Sequence, residues 1–95
     1  MNIGRAAGTV VATKRADGIA APKYLIVELC NERLEPGKRS LIALDPMGAG
    51  PGEIVLVSQG SSARQTESTN KKAVDAVVVA IVDALEERGK ATYRK

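Results

Sequence analysis

Short runs of Val, Ile, Leu and Thr, each bounded by turn residues, recur along residues 6–59. This pattern indicates strands rather than helices, because β-branched side chains fit a pleated sheet and turn residues end it. The lengths of the connections favour an antiparallel meander, with the strands paired in chain order. We predict four strands, at residues 6–14, 23–29, 40–45 and 53–59.

Two of these runs differ in how their apolar positions alternate. Leu25, Val27 and Leu29 share one face of the second run, and Glu28 lies on the other, as in a strand with one buried face. The fourth run, 53–59, is apolar on both faces. It is therefore predicted to be covered on both sides, by a closed barrel or by a neighbouring subunit.

Glycine and proline mark the places where the strands bend or end. Gly4 and Gly8 fall within the first strand pattern and predict bends or a close approach of two backbones, as a small barrel needs. The segment 31–38, NERLEPGK, is predicted to form a polar turn centred on Pro36 and Gly37.

The segment 71–87, KKAVDAVVVAIVDALEE, fits two templates. Its apolar residues recur at helical spacing. However, five of the six residues from Val77 to Val82 are β-branched, and such side chains lose χ1 freedom in a helix. We predict a fifth strand that closes the barrel, and a helix remains the alternative from pattern alone.

Together these elements predict a mainly β fold, a small five-stranded, OB-like β-barrel with one or two short helices. The polar segment 61–72 is predicted to carry a helix capped by Ser61 or Ser62. We expect residues 1–85 to form the single barrel domain and 86–95 to be a charged C-terminal tail, with disorder in its last few residues.

Length and composition predict a small hydrophobic core that is packed with small aliphatic side chains. A chain of 95 residues fits one domain and buries a modest share of its surface, so oligomerisation would stabilise it. There is no Phe or Trp, which leaves Val, Ile, Leu and Ala to pack the interior. No signal sequence or membrane-length apolar run is visible, so a soluble cytosolic protein is expected.

The net charge of +3 is a property of the C-terminal end. The last six residues, KATYRK, hold three of the 14 cationic side chains, so the rest of the chain is neutral with 11 charges of each sign. This distribution favours a solvated tail over a nucleic-acid footprint.

Nucleophilic and metal chemistry have little support in the sequence. The chain has no His and one Cys, Cys30, so it lacks the commonest catalytic base and any thiolate metal cage. Cys30 is expected to be a small buried or edge residue. Ser61 and Ser62 have no His to activate them, although a Ser–Lys arrangement stays open. We predict no catalytic residue, no cofactor and no metal site. The scattered carboxylates are expected to cap or to face solvent: Asp45, Asp75 and Asp83.

The stretch 48–64, GAGPGEIVLVSQGSSAR, raises the question of a phosphate site because its first glycines alternate. A dinucleotide fingerprint needs glycine at the sixth position and then a helix, whereas here Glu53 stands there and a strand follows. A P-loop needs a Gly-Lys pair, and no Lys lies between Lys38 and Lys71. The glycines instead predict a tight β connection with positive φ. Glu53 is expected to accept hydrogen bonds from loop N–H groups or from a neighbouring chain.

Four segments of the chain match one known family: GTVVATKR (8–15), YLIVELCN (24–31), IALDPMGAGPGEIVLVSQGSSAR (42–64) and AVDAVVVAIVD (73–83). They resemble the EutN/CcmL family, the vertex proteins of bacterial microcompartments. The resemblance implies a five-stranded barrel, short helices after the glycine–serine cluster, and a strand at 74–83. It also implies a ring of five subunits that closes the five-fold vertices of a polyhedral protein shell, beside flat sheets of hexameric shell proteins.

A five-fold ring needs heterologous contacts and a close approach of its subunits. Small residues permit that approach, and neighbouring polar groups can bridge the copies. Gly50→Val is therefore expected to abolish the ring. We predict that eight residues lie at subunit contacts or around a central opening: Gly48, Gly50, Gly52, Glu53, Gly60, Ser61, Ser62 and Arg64.

Two other classes of function remain as alternatives to a structural homopentamer. One is an OB-like module that binds single-stranded nucleic acid through the basic tail. Such modules stack bases on strand-borne aromatics, and here only Tyr24 lies on one of the predicted strands. The other is a small enzyme with an unrecognised site.

Overall fold

The computed structural model describes residues 1–11, 23–60 and 76–95. The helix predicted at 61–72 lies outside these residues, as does the end of the first predicted strand. The strands are β1 (Asn2–Val10), β2 (Tyr24–Cys30), β3 (Pro36–Leu44), β4 (Ile54–Gln59), β5 (Ala76–Ile81), β6 (Ala84–Glu87) and β7 (Lys90–Arg94).

The first five strands form a closed barrel in the order β1-β2-β3-β5-β4, with β4 paired back to β1. All pairs are antiparallel except β3 and β5, which meet in parallel at Leu44 and Val77. The predicted five-stranded barrel and the strand at β5 are thus confirmed, and the helical alternative for β5 is wrong. β-branched residues outweighed the helical spacing of the same segment.

The meander predicted in chain order is correct for β1, β2 and β3 but wrong for β4. The chain between β3 and β4 leaves β3 beside β2, where the Asp45 N–H donates to the Lys23 carbonyl at 3.1 Å. It arrives beside β1, where the Gly52 N–H donates to the Ala6 carbonyl at 2.8 Å. β4 therefore pairs with β1 and β5, and β5 fills the place beside β3.

The barrel interior is packed with small aliphatic side chains, as the composition predicts. Adjacent strand residues point to opposite faces, so Ala43 and Val78 lie inside, while Leu44 and Val77 form a second cluster on the outer face with Tyr24. β4 is buried on both faces within one chain. The fully enclosed interior residues are Val27, Ala43, Ala49, Val55, Val57 and Val78.

Gly4 lies at a close approach of two backbones and Gly8 lies at a bulge, and the sequence predicts bends or close approach at these positions. A Cβ built on Gly4 would lie 2.7 Å from the Glu28 carbonyl oxygen and would also strike the Val27 side chain. Gly8 follows a shift in the register between β1 and β2, which is a bulge in the strand. β1 therefore approaches β2 at a distance that only glycine permits at position 4.

The predicted turn centred on Pro36 and Gly37 is wrong, because both residues belong to β3. The turn lies earlier and is built by Asn31. Its Oδ1 accepts the N–H groups of Arg33 and Glu35, at 2.9 and 3.0 Å. This side-chain cap ends β2 before the proline, and Asn is well suited to it because its short amide reaches the backbone of the following residues.

The C-terminal residues form a hairpin of β6 and β7, so the disorder expected for the last few residues is wrong. Leu85 and Tyr93 face each other across the hairpin, and both are partly buried. Arg88 and Gly89 provide the positive φ angles that its two-residue turn requires. The hairpin begins at Ala84, within the segment assigned to the barrel domain.

Candidate assembly loop

The glycine loop, residues 45–53, joins β3 to β4. Its anchors are Asp45 and Ala49, both fully buried. Met47 stands outward with 50% of its surface exposed. The loop therefore has a fixed inner side and a solvent-facing outer side.

Asp45 closes the first half of the glycine loop by accepting three backbone hydrogen bonds. Its Oδ1 accepts the N–H groups of Met47 and Gly48, at 3.1 and 3.0 Å. Its Oδ2 accepts the N–H of Ala49 at 2.9 Å. Hydrogen bonds to a charged acceptor contribute about 1.5–3 kcal/mol each, so this carboxylate is the main internal fastening of the segment.

Lys23 supplies the positive charge that accompanies the buried carboxylate. Its Nζ lies 3.6 Å from Asp45 Oδ2 and donates to the Ala49 carbonyl at 2.8 Å. The lysine side chain is 26% exposed, so its charge keeps contact with solvent. An unpaired buried carboxylate would cost about 3–5 kcal/mol, which Lys23 offsets while it also holds the loop backbone.

The second half of the glycine loop is a tight turn. The Glu53 N–H donates to the Gly50 carbonyl at 3.2 Å, with Pro51 and Gly52 between them. Gly52 has a φ of 82°, and a proline followed by a glycine at positive φ is the pattern of a type II turn. Glu53 Oε1 accepts the Gly50 N–H at 2.6 Å, as expected from the sequence. Gly48 has a φ of 75°, which also favours glycine.

β1 holds the outer end of the glycine loop. The Ala6 N–H donates to the Glu53 carbonyl at 2.8 Å, so the strand pairing of β1 continues into the loop. The Arg5 guanidinium also donates to the Gly52 carbonyl at 3.1 Å. The turn at Pro51 is thereby fixed against the edge of β1.

The C-terminal end of the hairpin reaches the same loop. Lys95 Nζ lies 2.6 Å from Glu53 Oε2, and the Lys95 N–H donates to the Asp83 carbonyl at 2.8 Å. The Lys95 ammonium, together with the Gly50 N–H, holds the pKa of Glu53 below its ordinary value. The same contact raises the pKa of Lys95. Glu53 thus links the glycine loop to the hairpin.

The glycine loop is not built as a phosphate cradle. A cradle presents free backbone N–H groups to an anion. Here the N–H groups of residues 47–50 are bound by carboxylates of the same chain, and those of residues 52 and 53 donate to carbonyls. Residue 51 is proline, which has none. No N–H of this stretch is left to bind a ligand.

The described residues offer little support for metal or thiol chemistry. Within residues 1–11, 23–60 and 76–95 there is no group of three or more Cys, Asp and Glu side chains placed to hold a metal ion. Those residues also contain no helix long and apolar enough to cross a membrane. Cys30 is partly buried, with its Sγ 3.8 Å from the Ile3 carbonyl oxygen, and burial raises the pKa of its thiol. A raised pKa makes the thiol a weak nucleophile at neutral pH.

The structure brings four of the eight predicted site residues together in the glycine loop: Gly48, Gly50, Gly52 and Glu53. Gly60 lies apart from them, exposed at the end of β4 with a φ of 66°. Ser61, Ser62 and Arg64 lie outside the described residues.

Sequence reasoning missed Lys23 and Lys95 and placed Asp45 only among general capping residues. The available signal was an Asp at the end of a strand, directly before a glycine-rich loop, since a short carboxylate there can cap the following N–H groups. No comparable signal marks the lysines, which reach the loop through the fold.

Comparison with known proteins places these features in a family. Residues 1–83 match the family model described as ethanolamine utilisation protein EutN/carboxysome. The chain belongs to the EutN/CcmL family. The resemblance found in the sequence is thereby confirmed, and the match covers the whole barrel and the glycine loop.

The relatives in this family are named as shell vertex proteins. The chain is 43% identical over 86 residues to the bacterial microcompartment shell vertex protein GrpN of Rhodospirillum rubrum, covering 90% of this chain and 97% of the relative. It is 39% identical over 95 residues to the carboxysome shell vertex protein CcmL of Gloeobacter violaceus, covering 100% and 95%.

Solved structures agree with the sequence relatives. The structure of Gloeobacter violaceus CcmL superposes with a TM-score of 0.91 at 39% identity, covering 100% of this chain and 98% of that one. GrpN of Rhodospirillum rubrum, described as a pentameric microcompartment shell protein, superposes with a TM-score of 0.79 at 44% identity, covering 92% and 99%.

Proposed function

We propose that this protein is a structural shell protein that forms a homopentamer and caps the five-fold vertices of a bacterial microcompartment. The observation that carries the proposal is the near-complete match, in sequence and fold, to relatives named as shell vertex proteins. One such relative is described as pentameric. The function of such a protein depends on the shape of its assembly and needs no catalytic group.

The physical role follows from the closure of a shell. Flat sheets of six-fold units stay flat, and five-fold units introduce the curvature that closes them. A ring with heterologous contacts supplies such a unit, because each copy presents two different surfaces to its two neighbours. The partners we propose at the rim of this ring are hexameric shell proteins.

Within the ring, we place the glycine loop and residues 60–64 at subunit contacts or around the central opening. The glycine loop supports this placement because its outer residues are exposed and its backbone is fixed. The exposed members are Met47, Gly48, Pro51 and Gly52. Glu53 uses both carboxylate oxygens within its own chain, so it holds the loop in shape.

Deletion of the gene in cells that make these shells tests the role directly. Electron microscopy is expected to show elongated or open shells, because the sheets lack their five-fold units. Complementation with the same gene restores closed polyhedra. Closed polyhedra that persist in a strain without this protein, and without a second protein of the family, would contradict the proposal.

No observation favours the nucleic-acid alternative. The one aromatic residue on a barrel strand, Tyr24, packs against the second cluster with Leu44 and Val77. Tyr93 is partly buried on the hairpin opposite Leu85. Binding of single strands needs aromatic faces open to the bases, and an oligonucleotide affinity that falls steeply with salt would be the sign of such a site.

A further inference from the structure

The shape of the glycine loop is set by two charged side chains that lie beneath it rather than on its exposed side. We propose that Lys23 and Asp45 are positioning residues for assembly, which shape residues 46–50 before a neighbouring copy is met. The inference rests on the proposed pentamer, because it assigns the loop to a contact between copies of this chain.

The first support is the burial of Asp45. Its side chain is fully enclosed, and both oxygens are used by the backbone of the following residues. Opening the loop would break three hydrogen bonds to a charged acceptor and leave a buried carboxylate without those donors. Such an opening is strongly disfavoured, so the closed shape belongs to the free chain.

The second support is the double contact of Lys23. Its ammonium group touches both the carboxylate of Asp45, at 3.6 Å, and the carbonyl of Ala49, at 2.8 Å. Lys23 therefore links the Asp45 carboxylate to Ala49, the last residue whose N–H that carboxylate binds. Ala49 is fully buried at this point, which fixes the depth of the loop against the barrel.

The third support is the composition of the loop itself. The stretch GAGPG contains three glycines, so without internal hydrogen bonds its backbone would adopt many conformations. Forming a subunit contact would then cost the conformational entropy of this loop. Preorganisation removes that cost from the binding step. Lys23 and Asp45 supply it while leaving Met47, Pro51 and Gly52 free to meet a neighbour.

The test compares ring stability with barrel stability in the full-length protein. Asp45→Asn keeps the size of the side chain but puts an amide where two carboxylate oxygens accept. Lys23→Met removes the charge and keeps a long side chain, and Lys23→Arg keeps the charge. Asp83→Asn and Lys90→Met are the matched controls, since both residues are exposed on the hairpin or at its base.

Far-UV circular dichroism first identifies a temperature at which every variant is folded. Native mass spectrometry on serial dilutions at that temperature then gives the protein concentration at which half of the rings have dissociated. We expect Asp45→Asn and Lys23→Met to raise that concentration by about tenfold or more, the effect of losing one strong hydrogen bond. Lys23→Arg and both controls are expected to leave it within about threefold of the wild type.

The outcomes separate the inference from the proposed function. A monomeric wild type overturns the proposed pentamer. A pentameric wild type with Lys23→Met rings of unchanged stability overturns the positioning role alone. If Asp45→Asn fails to fold, the contrast between Lys23→Met and Lys23→Arg still decides, because Lys23 is partly exposed and Asp45 keeps its three backbone hydrogen bonds when the lysine is replaced.

Discussion

Replacement of Gly4 by alanine tests how closely β1 and β2 approach in the barrel. The added Cβ would lie 2.7 Å from the Glu28 carbonyl oxygen, and it would also overlap the Val27 side chain. The first neighbour is backbone and the second is buried in the core, so neither can swing aside cheaply. β1 must move away from β2, which disturbs the pairing that closes the barrel.

Gly8, four positions along the same strand, provides the matched control. A Cβ there meets only the Ile26 Cδ1 atom, at an ordinary contact distance of 3.5 Å. Overpacking in a well-filled core costs about 1–3 kcal/mol, and we expect Gly4→Ala to lie in that range. Gly8→Ala is expected to be neutral or to stabilise by about 0.4–1 kcal/mol, because alanine restricts the unfolded chain.

Thermal unfolding followed by circular dichroism measures the contrast. For a domain of this size, 1 kcal/mol corresponds to about 4–8 °C in Tm. Protein concentration is held constant across the variants, because subunit association shifts the apparent Tm. Equal Tm values for Gly4→Ala and Gly8→Ala would refute the close approach of β1 to β2 at Gly4.

Three further predictions concern the glycine loop. Gly52→Ala should destabilise by about 1–2 kcal/mol in denaturant unfolding, because a φ of 82° is strained for alanine; an unchanged midpoint would refute the turn. Gly50→Val should abolish the ring in native mass spectrometry, because its larger side chain would stand where the proposed neighbouring copy approaches, while within the chain its Cβ meets only Glu53 Oε1, at 3.3 Å; intact pentamer would contradict the contact placement. The lowered pKa of Glu53 means that its contact with Lys95 stabilises the hairpin above the ordinary Glu pKa and is lost as pH falls through the lowered value. The protection factors of the β7 amides, which correct for the intrinsic pH dependence of exchange, should therefore fall as the pH drops below the ordinary Glu pKa in the wild type but not in Glu53→Gln, and identical profiles would refute this coupling.

The sequence identified most strands because their signals are local. Alternation in β2 and β-branched density in β5 each reflect how a single strand packs, so a short window contains the information. The pairing of β4 with β1 has no such local signal. It depends on where the glycine loop carries the chain, and that path is set by hydrogen bonds to Lys23 and Ala6, which are distant in sequence.

The same distinction explains what was predicted of the glycine loop. Positive φ at Gly48 and Gly52 follows from residue type, and the hydrogen bond from the Gly50 N–H to Glu53 is short in range. The contacts of Lys23 and Lys95 arise only when the barrel closes and the hairpin folds back. The sequence around a lysine does not indicate which group it will contact, because its long side chain can reach either solvent or a buried carboxylate.

The hairpin was missed because the last few residues were expected to be disordered as a chain end. Residues 86–95 are rich in Lys, Arg and Glu, yet Arg88 and Gly89 form a tight turn between two short strands. Leu85 and Tyr93 supply an apolar pair across the strands. Lys95 then fastens the end of the hairpin to Glu53, so charge here contributes to order.

The oligomer mass of the full-length protein tests the central claim most directly. Native mass spectrometry at near-neutral pH, checked by light scattering in solution, should give one dominant species with five times the mass of a single chain. A second spectrum at higher salt should give the same mass if shape complementarity rather than surface charge holds the ring. A monomer, or an assembly with any other number of subunits at concentrations where the chain is folded, would contradict the account of this protein as a five-fold vertex unit.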